Sequence, residues 1–90
     1  MSERKPRVLL VDDEGAFVKV VTRRLDAAGF EVLVATDGED AVTKACAEQP
    51  EAIVLDLVMP KRSGFEACKI LRQDQRFKRT PIIFLSGKVR

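Results

Sequence analysis

Ninety residues fit one small domain, and 46% apolar against 33% charged residues favours a packed core over a disordered chain. The absence of histidine, tryptophan and tyrosine excludes Ser-His-Asp and Cys-His catalysis, histidine-ligated zinc and donation of phosphate from a histidine of its own. Carboxylate, hydroxyl and lysine chemistry remain. The net charge of +2 is too small to imply direct nucleic-acid binding, but it is unevenly spread: residues 1–7 sum to +2, residues 8–60 to −7 and residues 61–90 to +7. An acidic middle joined to a basic last third suggests a carboxylate-rich site on one side and a solvated or partner-facing surface on the other. Cys46 and Cys68 have neither metal-ligand nor redox-motif spacing and read as small core thiols. The longest apolar runs are four residues, far short of a membrane span, so no membrane role is expected and a reducing cytoplasm is the natural setting.

In chain order, residues 1–6 read as a flexible basic tail. Arg7 to Val11 is a short branched apolar run, as a strand buried on both faces would be. Phe17, Val21, Leu25 and Ala28 then recur at helical spacing until Gly29, a residue type favoured just past a helix end. Glu31 to Ala35 is a second strand, and Thr36, Asp37 and Gly38 supply a turn and a possible cap. Asp40 to Glu48 is a second helix ended by Gln49-Pro50. Ala52 to Leu55 is a third strand closed by Asp56, and residues 59–64 form a loop. Phe65, Cys68 and Leu71 mark the inner side of a third helix, followed by a charged stretch from Arg72 to Arg79. Ile82 to Leu85 is a fourth strand ending at Ser86-Gly87.

This βαβαβαβ order predicts an α/β fold, a doubly wound parallel sheet with right-handed crossovers and strand order 2-1-3-4. The first helix would cover one face, the second and third the other. The chain direction reverses between strands one and three, and ligands bind in the crevice outside their carboxyl ends. Asp12 and Asp13 end strand one and Asp56 ends strand three, so three carboxylates meet at that crevice. They repel one another unless a cation joins them, and an oxygen-only acidic pocket favours Mg²⁺, which keeps waters and shares phosphate oxygens. Metal-assisted phosphoryl chemistry is the economical reading. The plainer one is that Asp13 or Glu14 caps the first helix and Asp56 the following loop. Ser86, at the end of strand four, is either a turn residue or a hydroxyl within reach of a phosphoryl group on Asp56.

Three segments resemble the receiver domains of bacterial two-component response regulators: Val8 to Glu14; Val54 to Pro60, followed by Gly64 and Glu66; and Pro81 to Gly87. The likeness runs from residue 7 to residue 87 and implies the flavodoxin-like fold, which serves as a stock illustration of the switch-point rule. It also implies that Asp56 accepts a phosphoryl group from a phosphohistidine on a sensor histidine kinase or a histidine phosphotransfer protein. By the same resemblance Asp13 and Asp56 bind Mg²⁺ directly, Asp12 binds it through water, and the backbone carbonyl of Val58 completes the protein ligands. Ser86 would hydrogen-bond a phosphoryl oxygen and draw its loop inward. Met59, Pro60 and Gly64 would shape the loop after Asp56.

Against that family the sequence stops at Arg90, before a fourth helix, a fifth strand and a fifth helix, and so before the family's phosphate-pairing lysine and switch aromatic. Lys88 comes from the wrong element to be that lysine. The expectation is a receiver domain over 7–90, incomplete at its C-terminal side, with self-association through the strand-four edge or the helix-one face. The leading function is a phosphoacceptor module that promotes its own aspartyl phosphorylation and is no turnover enzyme. The alternative is a receiver-like interaction or oligomerisation module with impaired phosphotransfer. An Mg²⁺-dependent aspartyl phosphatase is disfavoured, since no second acid-base carboxylate follows Asp56 at suitable spacing.

Overall fold

The computed structural model describes residues 4–56 and 64–85. Strand β1 (Arg7–Val11) leads to helix α1 (Gly15–Ala27), strand β2 (Glu31–Ala35), helix α2 (Gly38–Glu48) and strand β3 (Ala52–Asp56). Helix α3 (Gly64–Arg72), one 3-10 turn over Gln75–Phe77 and strand β4 (Ile82–Leu85) follow. Element boundaries have local causes. After α1, Gly29 takes a φ of 98°, where a side chain would be strained. Asp37 caps α2 by accepting from the Asp40 N–H at 2.7 Å. Gln49 leaves α2 in the left-handed region at φ 48°, and the buried Pro50 blocks continuation.

The four strands form one parallel sheet in the order β2-β1-β3-β4, the expected doubly wound arrangement. Alternation along the strands sorts the side chains into two layers. Leu9, Val11, Ala35, Ile53 and Leu55 form one buried cluster with Ala41 and Ala45 of α2, Leu71 of α3 and Phe77 of the 3-10 turn. Val8 and Leu10, on the opposite layer, are also buried, which is why β1 reads as an unbroken apolar run.

One expectation needs correction, and two segments show detail beyond what spacing gives. Phe65 is not on the inner side of α3: it is 67% exposed, its ring edge-on to Phe84 at 6.3 Å between centroids. Gly64, Ala67 and Leu71 are the buried residues of that helix, and Cys68 is half-buried. Small residues line the inner side of α3, whose backbone packs against α2 and the 3-10 turn, and Phe65 turns outward. In α1 no residue is fully buried, with Phe17, Val21 and Leu25 half-buried and Ala28 exposed. The charged stretch after α3 contains an anchor, because Phe77 is 1% exposed and Arg72 donates to the Phe77 carbonyl at 2.7 Å.

The amino ends of the strands are tied down by charge. Arg7 donates to both the Glu48 side chain and the Glu48 carbonyl at 2.6 Å, and its own backbone N–H donates to Glu51 at 2.7 Å. Arg4 pairs with Glu51 and Lys5 with Asp26. At the β2 edge the Lys44 ammonium donates to the Val34 carbonyl at 2.5 Å, a cover of the kind that discourages strand addition.

Candidate functional site

The β1–β3 pairing aligns Val11 with Leu55, so the next residues, Asp12 and Asp56, stand side by side at the carboxyl ends of their strands. The Asp12 N–H donates to the Ala35 carbonyl at 3.0 Å, which carries the β1–β2 ladder one residue beyond the strand. Asp12 is 0% exposed and Asp56 4%, whereas Asp13, one residue along, opens to solvent. One carboxylate oxygen from each of the three lies within 4.8 Å of the other two. The structure therefore brings together the three acids that the strand ends predicted.

A second local feature orients the site. The Asp12 Oδ1 accepts the backbone N–H of Glu14 at 2.9 Å. Glu14 is the N-cap residue of α1, with extended backbone (φ −97°, ψ 106°), and its side chain makes no capping hydrogen bond. The plainer reading, a Glu14 side chain capping the helix, is not what the backbone uses. An aspartate two residues ahead of a helix N-cap can fold back on the chain in this way, so the signal is present in Asp12-Asp13-Glu14-Gly15. Helix α1 begins directly after this turn, which sets the positive end of its backbone dipole beside the acids.

Carboxylates gathered this closely repel one another, and a cation held among them relieves that repulsion. An all-oxygen donor set, with no imidazole or thiolate among the three, suits a hard divalent cation. The residues present thus fit Mg²⁺, and the exposed Asp13 leaves the cluster approachable from solvent. Two other expected participants, Val58 and Ser86, lie outside the described residues, as do Met59, Pro60, Gly87 and Lys88.

Comparisons with known proteins give the family and the fold. The family model described as the response regulator receiver domain matches residues 8–90. The alkaline phosphatase synthesis transcriptional regulatory protein PhoP of Bacillus subtilis (strain 168) is 43% identical over 82 residues, which are 91% of this chain and 33% of that protein. The chain spans about a third of the length of such regulators. Among solved structures, the chemotaxis response regulator CheY4 of Vibrio cholerae superposes with a TM-score of 0.90 at 36% identity, over 97% of this chain and 72% of that one. The receiver domain of sensor histidine kinase PA1611 from Pseudomonas aeruginosa PAO1 also gives a TM-score of 0.90, at 29% identity, over 94% of this chain and 70% of that one. That structure has a magnesium ion coordinated in its active site cleft.

Proposed function

The chain belongs to the response regulator receiver domain family, and from that premise we propose that Asp56 is its phosphoacceptor, with Mg²⁺ held by Asp12, Asp13 and Asp56. The observation that carries this reading is the meeting of the three acids within 4.8 Å at the ends of two neighbouring parallel strands. As a receiver domain it is a signalling module of the two-component type, and the interaction-only alternative is not favoured where the acidic trio is intact.

In the proposed step a carboxylate oxygen of Asp56 attacks the phosphorus of a phosphohistidine on a sensor kinase or phosphotransfer protein. An O–P bond forms, the P–N bond breaks, and the departing imidazole takes up a proton from solvent. When bound, Mg²⁺ supplies neutralisation of the charge on the transferred group. The residues of this chain do the rest. The strand ends fix Asp56 in line with the crevice, Asp12 and Asp13 complete the oxygen donor set, and burial keeps Asp56 from bulk water. The Val58 carbonyl is proposed as a further ligand and the Ser86 hydroxyl as a donor to the phosphoryl group. We assign no catalytic turnover to the domain, since a single aspartyl phosphate per chain is the whole of the reaction.

Residues 7–90 are read as the receiver unit and 1–6 as its tail, with a cytoplasmic setting, where a kinase domain would be met. No helix of the described residues is long and apolar enough to cross a membrane. Direct nucleic-acid contact is not assigned to this chain. Self-association through the β4 edge or the α1 face remains a proposal, supported by the exposure of Ile83 (54%) and Val20 (51%).

The decisive experiment exposes the chain to a small-molecule phosphodonor, acetyl phosphate, with and without Mg²⁺, and reads the intact mass. One added phosphoryl group is expected in the parent, and none in Asp56→Asn or after chelation of the metal. Undiminished incorporation in Asp56→Asn would overturn the assignment.

A further inference from the structure

We propose that the cleft between α1 and β2 binds a small zwitterion of amino-acid type, with its carboxylate on Arg23 and its ammonium on Glu31. The cleft lies at the amino ends of the strands, where Glu31 aligns with Arg7, at the pole opposite the three acids. It is independent of phosphorylation and of any metal at those acids.

The cleft holds about 480 Å³ and is lined by Lys5, Thr22, Arg23, Asp26, Glu31 and Val32, a size in the range of small-molecule sites. Its two cations and two anions cancel, which disfavours a ligand of large net charge. Lys5 and Asp26 already face each other at 3.9 Å. Arg23 and Glu31 line the same cleft, yet neither makes an ion pair with a described residue, so opposite charges stand apart with space between them. A molecule carrying both charges bridges that gap, its carboxylate meeting the guanidinium fork and its ammonium the Glu31 carboxylate. A third group converges on the same place. The Thr22 Oγ1 is buried and has no hydrogen-bond partner among the described residues, and a buried hydroxyl left unpaired costs stability. Threonine on a helix has two accessible χ1 rotamers, and in the bound state a change of rotamer turns this hydroxyl toward the ligand carboxylate. Val32 offers an apolar wall to an aliphatic body.

Amide NMR titrations test this with probes built on one aliphatic body: L-leucine, 4-methylpentanoate, which lacks the ammonium, and 3-methylbutylamine, which lacks the carboxylate. Saturable leucine shifts are expected at Thr22, Arg23, Glu31 and Val32. Each single-charge probe should bind about tenfold more weakly, the scale of losing one hydrogen bond to a charged group. Arg23→Gln and Glu31→Gln change exposed side chains and should leave the fold intact. Arg23→Gln should reduce leucine to the affinity of 3-methylbutylamine, and Glu31→Gln to that of 4-methylpentanoate. Thr22→Val removes the orphaned hydroxyl at nearly constant shape, so the melting temperature should rise while leucine affinity falls about threefold. The inference is overturned by leucine that gives no saturable shift at millimolar concentration, that binds no better than the single-charge probes, or that binds both Gln variants as well as the parent. Shifts confined to the acidic rim overturn it too. Unchanged leucine affinity in Thr22→Val overturns the part given to the hydroxyl.

Discussion

The two faces of the sheet are unequally covered. On the α2 and α3 side, Leu9, Val11, Ala35, Ile53 and Leu55 are sealed by two helices and by Phe77. On the α1 side the fully buried apolar strand residues are Val8 and Leu10, Val32, Val34 and Val54 are half-buried, and Ile83 stands mostly in solvent. Helix α1 itself contributes no fully buried residue. Hydrophobic stabilisation scales with the apolar area taken from water, so the first face carries most of the fold. The second face carries the turn that orients Asp12. The geometry of the acidic cluster and bulk stability are thereby assigned to different sides, and a change on one need not disturb the other.

That division can be broken in measurable ways. Phe77→Ala, on the sealed side, should cost about 3–5 kcal/mol, as other buried phenylalanines do, read as the shift of a denaturant midpoint. Val21→Ala, half-buried on α1, should cost only about 1 kcal/mol in the same assay. A cost equal to that of Phe77→Ala would show that the sparse face is as important as the dense one. Val20→Ser should be nearly neutral, within about 0.5 kcal/mol, because half of Val20 already meets water. A larger loss that grows with protein concentration would mean that a second copy covers this face.

The smallest effect concerns pH. Side-chain and backbone hydrogen bonds from Arg76 hold the Asp74 carboxyl down from its ordinary 3.8 to about 2. A folded value below the unfolded one means that the pair steadies the 3-10 turn fully above 3.8 and is lost as pH falls through about 2. The Asp74 carboxyl resonance should titrate near 2 in the parent and return toward 3.8 in Arg76→Ala. The global melt should hardly move, since both partners are solvated.

Much of the fold was legible from periodicity. All four strands fall where branched apolar runs predicted them, and the sheet adopts the expected order among those that right-handed crossovers leave open. The acids were legible for the same reason, since a polar residue directly after a buried run marks a strand end. Other features gave little signal. Phe77 is one apolar residue among charges, and a single turn has no period to detect. Phe65 misled because spacing weighs it above Gly64 and Ala67, although packing favours the small pair. The Glu14 amide belongs to the main chain and is invisible to side-chain patterns, except through the Asp that precedes it.

The clasp that Arg7 makes with Glu48 and Glu51 joins the start of β1 to the exit of α2 at the pole opposite the acids. In the proposed phosphorylation, charge added at Asp56 meets a frame whose far end is already cross-linked by these contacts. Under that proposal the signal starts at one pole of the sheet, and the contacts of Arg7 serve as the anchorage at the other.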